Sequence, residues 1–177
     1  KEMMAMTDSL LDFMLTYGEY GQMFEAKLAE YFGLKYSILT NSGSSANLLA
    51  MATLCSNRLA EKKLNPGDEV ITPATTFPTT LNPIIQNNLV PVFLDIEVDT
   101  LNINPDLIEQ AISEKTKAIF IPHTLGNPND MEKVMDIAKR HNLYVIEDTC
   151  DALGSKYNGK KAGTFGDLGT VSFYPAH

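Results

Sequence analysis

The apolar residues of this chain recur at two spacings, and each spacing predicts one kind of element. In residues 22–32, Phe24, Leu28 and Tyr31 fall on one face of a helix, and Gly33 follows as a stop signal. Other segments are short runs of mostly apolar residues, the pattern of strands buried on both faces. The predicted strands cover residues 36–40, 69–73, 91–96, 117–122, 143–147 and 170–174. The predicted helices cover residues 10–17, 22–32, 48–59, 107–112 and 130–141, and another helix opens within 75–80.

Strands and helices alternate along the whole chain, which predicts an α/β fold. We expect a mostly parallel sheet with helices on both faces, in three layers. Ligands of such sheets bind at the carboxyl ends of the strands. The candidate functional segments are therefore those that follow a predicted strand, at residues 42–45, 74–79, 123–127, 148–151 and 172–177.

Composition and charge narrow the class of protein. Of 177 residues, 44% are hydrophobic and 20% are charged, as in globular domains. A net charge of -8 without any Lys/Arg-rich run argues against a nucleic-acid partner. No apolar stretch is long enough for a membrane span, and no secretory signal opens the chain. Cys55 and Cys150 lie far apart, so we expect buried free thiols in a reducing cytoplasm.

Gly43, Ser44 and Ser45 stand between a predicted strand and a predicted helix. A glycine permits close approach, a helix N-terminus presents free N–H groups, and hydroxyls add donors, so this segment is a candidate phosphate site. It matches neither the P-loop nor the GxGxxG fingerprint. A serine-rich helix cap explains the same residues equally well.

Two acidic residues and one aromatic residue also follow predicted strands. Asp148 could interact with a heterocyclic nitrogen or cap a helix, and Asp151 is close enough in sequence to share its site. Phe77 could stack on an aromatic ligand or belong to the core. No spacing of His, Asp or Glu supports a metal site.

The end of the chain places an imidazole beside a hydroxyl. His177 follows the predicted strand that carries Ser172 and Tyr174, and it could serve as a general base. His123 also follows a strand, but a lone histidine there is more often structural.

Five segments, in this order, resemble the DegT/DnrJ/EryC1/StrS sugar aminotransferase family. They are 41–50 (NSGSSANLLA), 72–80 (TPATTFPTT), 147–154 (EDTCDALG), 163–167 (GTFGD) and 172–177 (SFYPAH). The resemblance implies the fold of the PLP-dependent transferases similar to aspartate aminotransferase. It also implies that residues 1–177 are the N-terminal part of a longer protein, within the large cofactor-binding domain.

His177 is where this chain departs from the family pattern. The family normally has a lysine there that holds the cofactor as a Schiff base, which imidazole cannot form. The substitution is similar to the hexulose 3-dehydrases of the family. They use pyridoxamine 5′-phosphate (PMP) and remove the C3 hydroxyl of a nucleotide-linked 4-keto-6-deoxyhexose. The resemblance implies CDP-4-keto-6-deoxyglucose as the substrate, in dideoxysugar and O-antigen lipopolysaccharide biosynthesis.

The resemblance also implies residue roles at the cofactor. Asp148 would keep the pyridine nitrogen protonated and Phe77 would stack on the ring. The phosphate would be held by Gly43, Ser44, Ser45 and Ser172.

Three further residues are implied to act in catalysis. His177 would be the base at carbon C4′ of the cofactor. Asp151 would lie near the ring face opposite Phe77, and Tyr174 would assist His177.

The resemblance leaves partners and alternatives open. It implies a cytoplasmic homodimer, and it allows a 2Fe-2S iron–sulfur cluster in the C-terminal part with an NADH-dependent flavin/iron–sulfur reductase as partner. One alternative is a PLP-dependent nucleotide-sugar aminotransferase, if a lysine follows His177. A second is a cluster-free 3-dehydratase that regenerates PMP from glutamate. A third is a non-catalytic relative, against which Asp148, Phe77 and Ser172 argue.

Overall fold

The computed structural model describes residues 1–14 and 16–175. The chain forms two compact units, residues 1–39 and residues 40–177. No helix within the described residues is long and apolar enough to cross a membrane. All of the site residues predicted above have numbers within the second unit.

The first unit consists of helices α1 (Glu2–Leu11) and α2 (Glu19–Phe32). The predicted stop signal is confirmed, because Gly33 ends α2 with φ of 70°, a conformation that glycine adopts without steric cost. The helix predicted at residues 10–17 is wrong in its bounds. Its apolar spacing continues past Leu11, but Phe13 adopts φ of 55° and so ends the helix.

The strand predicted at residues 36–40 is also wrong. The hydroxyl of Ser37 donates to the carbonyl of Glu25 at 2.6 Å, and the N–H of Leu39 donates to the Glu25 carboxylate at 2.7 Å. These hydrogen bonds go to α2 and not to a neighbouring strand. The sequence of this segment has the pattern of a strand, but within the described residues it pairs with no other strand.

The second unit carries every strand of the described chain. Its helices are α3 (Gly43–Leu54), α4 (Pro78–Gln86), α5 (Ile108–Ala111) and α6 (Met131–His141), with short 3-10 turns at Asn57–Lys62, Pro105–Leu107 and Thr124–Gly126. Its strands are β1 (Glu69–Pro73), β2 (Val90–Leu94), β3 (Thr116–Pro122), β4 (Tyr144–Asp148), β5 (Lys156–Tyr157), β6 (Lys160–Lys161) and β7 (Leu168–Thr170). The strand predicted at 69–73 has the observed bounds. The helix predicted at 48–59 begins and ends earlier, at Gly43 and Leu54.

Five strands form one parallel sheet in the order β2-β1-β3-β4-β7. Parallel neighbours need a crossover connection. Helices supply it from β1 through to β4, whereas the segment that holds β5 and β6 connects β4 to β7. β5 and β6 form a separate antiparallel hairpin. The predicted parallel α/β fold is confirmed.

The sheet is covered on both faces, which confirms the three predicted layers. On one face Ile71, Ile119 and Val145 share a core with α5 and α6. On the other face Val70, Phe120 and Ile146 share a core with α3 and α4. The alternation follows from the two-residue period of a strand, which points successive side chains to opposite faces.

The strand predicted at residues 170–174 lies earlier, at Leu168–Thr170. The ladder between β7 and β4 ends where Asp148 pairs with Thr170, because β4 itself ends there. Phe173 and Tyr174 lie beyond the end of β7 and are exposed. The chain therefore leaves the sheet directly before Ser172.

The buried face of β3 gives a stability prediction. Phe120 is fully buried on this central strand, whereas Phe93 on the edge strand β2 is 49% exposed. We expect Phe120→Ala to lower the free energy of unfolding by about 3–5 kcal/mol, because it leaves a cavity between the sheet, α3 and α4. Phe93→Ala should lower the free energy of unfolding far less, because Phe93 is already half exposed. Urea unfolding followed by circular dichroism measures both, and equal losses would contradict this account of the core.

Candidate functional site

Asp148 lies at the carboxyl end of β4 with its side chain fixed by three donors. Its Oδ2 accepts hydrogen bonds from Asn47 Nδ2 at 2.7 Å and Thr80 Oγ1 at 2.8 Å. Its Oδ1 accepts the N–H of Cys150 at 3.1 Å. Because the donors come from α3, α4 and the loop after β4, three separate segments set the orientation of one buried carboxylate.

Asn47 connects this carboxylate to the rest of the site. The side chain is fully buried on α3. Besides its bond to Asp148, its Nδ2 donates to the carbonyl of Thr79 at 3.1 Å, and its Oδ1 accepts from Thr170 Oγ1 at 2.6 Å. One amide therefore joins α3, α4, β4 and β7, and all of its polar atoms are satisfied.

Asn47 is absent from the residues predicted above, although the sequence holds a usable signal. The buried positions of α3 include Asn47, Ala50, Met51 and Leu54, a helical stripe. An amide in an apolar stripe must find buried partners, because an unpaired one is costly. That reasoning points to a polar site facing α3 but does not say which residues form it.

The N-terminus of α3 packs against Ser172. Gly43 is buried, and a Cβ added to it would lie 2.8 Å from Cys150 Sγ and 2.9 Å from Ser172 Cβ. No larger residue fits without a shift, so glycine is required for this close approach. The structure thereby brings together Gly43 and Ser172, which are far apart in the sequence.

The first turn of α3 also carries the other predicted phosphate residues. Ser44 is exposed and Ser45 is half-buried. The hydroxyl of Ser42 accepts the N–H of Ser45 at 3.1 Å, so the helix-cap interpretation of the serines holds for Ser42. Free N–H groups at this helix end, together with nearby hydroxyls, can bind an anion.

Phe77 is not a core residue. It is the N-cap residue of α4 and is 69% exposed. One turn later, Thr80 reaches Asp148. The aromatic ring therefore stands at the start of the helix that helps to fix the carboxylate, and its exposure leaves it able to stack on a ligand.

The remaining predicted site residues lie after β4 and β7. Asp151 is exposed in the turn that follows β4. Tyr174 is 66% exposed, and its N–H donates to Ser172 Oγ at 3.2 Å. His177 lies outside the described residues. The catalytic roles of these three residues stay predictions.

The two cysteines are free, as predicted, but half-buried rather than buried. Burial, and then the negative charge of Asp148, raises the pKa of the Cys150 thiol. The thiol beside Gly43 is therefore kept protonated at neutral pH. Within residues 1–14 and 16–175, no group of three or more His, Cys, Asp or Glu side chains is placed to hold a metal ion.

Glu147 precedes Asp148 on β4 and is fully buried. Its carboxylate accepts four hydrogen bonds, at 3.0, 2.8, 2.6 and 2.7 Å, from His123 Nε2 and from the N–H groups of Gly163, Phe165 and Gly166. These contacts were not predicted. A glutamate inside an apolar run is the signal that could have indicated them, since a buried carboxylate needs donors.

His123 is structural, as expected of a lone histidine after a strand. It is buried, and its Nδ1 accepts the N–H of Asn129 at 3.0 Å. The ring proton is therefore assigned to Nε2, which donates to Glu147.

The pKa of Glu147 reflects a balance of burial and hydrogen bonds. Burial raises it, but the bonds from His123 and from the N–H groups of Gly166 and Gly163 outweigh burial, so the pKa is lowered. The carboxylate is ionised at neutral pH.

Residues 1–177 match the DegT/DnrJ/EryC1/StrS aminotransferase family. The chain is 55% identical over 177 residues to the lipopolysaccharide biosynthesis protein RfbH of Salmonella typhimurium, covering 100% of this chain and 40% of that protein. It is 53% identical over 173 residues to a dTDP-4-dehydro-2,6-dideoxy-D-glucose 3-dehydratase of Saccharopolyspora spinosa, covering 98% of this chain and 37% of that protein.

A solved structure is also similar. The GDP-4-keto-6-deoxy-D-mannose-3-dehydratase of E. coli with bound hydrated PLP superposes with a TM-score of 0.92 at 39% identity, covering 99% of this chain and 45% of that one. The chain thus spans about two fifths of the length of the relatives it matches.

The lowered pKa of Glu147 predicts how stability depends on pH. Its contribution is fully present above the pKa of the unfolded glutamate, about 4.3, and is lost as pH falls through the lower folded-state pKa. We expect Glu147→Gln to be less stable than the wild type by about 2 kcal/mol or more at pH 7, because the amide places a donor against N–H groups. The gap should narrow in acid.

Urea unfolding at a series of pH values measures this difference. Glu114→Gln, in the exposed turn before β3, controls for the loss of one negative charge. A gap between the wild type and Glu147→Gln that stays constant from neutral to acid pH would contradict the prediction.

Proposed function

The chain belongs to the DegT/DnrJ/EryC1/StrS aminotransferase family, and from this membership we propose that the protein containing it is a PMP-dependent 3-dehydratase. Its substrate is a nucleotide-linked 4-keto-6-deoxyhexose, from which it removes the C3 hydroxyl. The observation that carries the proposal is His177, at the position where the family resemblance calls for a Schiff-base lysine. The names of the similar 3-dehydratases support the same reaction.

The residues present fit PMP or PLP. A phosphate requires donors, and α3 offers its N-terminal N–H groups beside Ser44, Ser45 and Ser172. The buried carboxylate of Asp148 suits a protonated pyridine nitrogen. When bound, the protonated ring supplies an electron sink for cleavage of the carbon–oxygen bond.

Asp148 holds the pyridine nitrogen in this proposal. Asn47 and Thr80 both donate to Oδ2, and the Cys150 N–H donates to Oδ1. The fixed carboxylate would therefore meet the N–H of the ring without reorganising. Preorganised charge of this kind is more effective than a mobile side chain.

Gly43, Ser44, Ser45 and Ser172 bind the phosphate, and Phe77 stacks on the ring. The contact of Gly43 with Ser172 supports a shared phosphate site, and the exposure of Phe77 supports stacking. Each of these roles is assigned by position in the family segments.

His177 is the proposed base, and it takes the proton at C4′ of the cofactor. An imidazole suits this task because its ordinary pKa, about 6.5, lies near neutral pH. Asp151 lies near the ring and Tyr174 assists His177. These roles rest on the family resemblance.

The proposed substrate is CDP-4-keto-6-deoxyglucose, in O-antigen lipopolysaccharide biosynthesis. The similarity to the lipopolysaccharide biosynthesis protein RfbH supports this pathway. The two 3-dehydratases are named for dTDP-linked and GDP-linked sugars, so relatives differ in the nucleotide. We further propose a homodimer.

A 2Fe-2S iron–sulfur cluster and an NADH-dependent reductase belong to the proposal only in the form of dehydrase that uses them. In that form, the cluster and the contacts of the reductase are formed by other parts of the protein.

Borohydride reduction tests the proposal against the aminotransferase alternative. The complete protein is incubated with PLP, reduced, digested and searched by mass spectrometry for a phosphopyridoxyl-lysine. We expect no such adduct at or next to residue 177, because imidazole forms no Schiff base. His177→Lys is the positive control. An adduct on a lysine following His177 in the wild type would favour the aminotransferase.

A further inference from the structure

We propose that Glu147 is a positioning residue for the phosphate site. It acts through the segment 163–166 and strand β7, which together place Ser172 against the N-terminus of α3. The inference rests on the proposed function, because it assigns Ser172 to the phosphate of the cofactor. Glu147 itself does not touch the cofactor in this proposal.

Glu147 and Asp148 serve opposite faces of the sheet. Asp148 turns to α3 and α4, where Asn47 and Thr80 bind it. Glu147 is the preceding residue of the same strand, so its side chain points to the other face. It is fully buried there and is not placed to contact the reacting groups.

The carboxylate of Glu147 accepts hydrogen bonds from the backbone of residues 163–166. Three of its four donors are the N–H groups of Gly163, Phe165 and Gly166, at 2.8, 2.6 and 2.7 Å. Successive backbone N–H groups that converge on one anion form a fixed concavity. An apolar side chain here would leave those N–H groups unpaired in the interior, at a cost for each of them.

Residues 163–166 are also constrained by close packing and by their backbone conformation. Gly166 lies so close to β4 that an added Cβ would sit 2.5 Å from the carbonyl oxygen of Val145. Gly163 has φ of 84°, a left-handed conformation that favours glycine. His123 holds the carboxylate from the end of β3. Glu147 therefore fixes this segment together with the backbone of Val145.

The segment leads directly to the phosphate site. It continues into β7, where Gly169 pairs with Glu147 and Thr170 pairs with Asp148. Beyond the ladder, the N–H of Thr149 donates to the carbonyl of Thr170 at 2.8 Å. Ser172 lies two residues after Thr170 and packs against Gly43. A shift at residues 163–166 would be carried along β7 to the Ser172 hydroxyl.

Binding of PMP and of pyridoxamine, which lacks the phosphate, tests the proposal by equilibrium dialysis on the complete protein. We expect Glu147→Gln to weaken PMP binding about tenfold, the worth of one hydrogen bond to a charged group, and to change pyridoxamine binding less than about twofold. A general loss of structure would weaken both ligands alike. If Glu147→Gln does not fold, Glu147→Asp replaces it in the test. It keeps the charge but moves the carboxylate away from its donors, so we expect a smaller loss of PMP binding that is again selective over pyridoxamine.

Val134→Ala is the matched control. It removes buried volume from α6, in the core layer that faces the same side of the sheet, and it should lower the unfolding temperature without selective loss of PMP binding. Equal losses of PMP and pyridoxamine in the Glu147 variants would overturn the inference, and so would unchanged PMP binding. A wild-type protein that binds neither ligand would overturn the proposed function itself, and this inference with it.

Discussion

The buried carboxylate of Asp148 and its three donors form the interaction on which the candidate site depends. The donors belong to α3, α4 and the loop after β4. A carboxylate taken out of water is costly unless hydrogen bonds replace the lost hydration. The parallel sheet makes such a site possible, because strands and helix ends distant in sequence meet at its carboxyl edge. Asn47 extends the network to Thr170 and so ties β7 to the same point.

Glu147 and Asp148 are adjacent on β4 and make their hydrogen bonds on opposite faces of the sheet. Asp148 faces α3 and α4 at the carboxyl edge of the sheet, where ligands of parallel α/β sheets bind. Glu147 faces the enclosed layer and binds backbone N–H groups and His123. Both carboxylates are satisfied, which is the condition under which buried polar groups support a single arrangement. The site is thus held from both sides of the sheet.

The layers of the fold could be predicted from the sequence because they depend on local pattern. The strand at 69–73 is an example, since its apolar run stands alone between turn residues. The strands at 36–40 and 170–174 were wrong because a strand also needs a partner, which local pattern does not reveal. The Asn47–Thr170 bond spans 123 residues, and no local signal names both of its ends. Phe77 and Asp148 were identified as candidates by their places after strands, and Gly43 by its place after a predicted strand that does not form. The specific roles of all three came from the family resemblance. His177 was a candidate base by its place after a predicted strand, but only the resemblance indicates that it replaces a Schiff-base lysine.

The protonation state of the bound cofactor tests whether the fixed Asp148 carboxylate is the partner of a pyridine nitrogen. The measurement is the 15N chemical shift of ring-labelled PMP bound to the complete protein, compared between the wild type and Asp148→Asn. We expect a protonated ring nitrogen in the wild type, at pH values where the ring of free PMP has lost its proton. We expect an unprotonated nitrogen in Asp148→Asn. An unprotonated nitrogen in the wild type, or a protonated one that survives the substitution, would contradict this pairing.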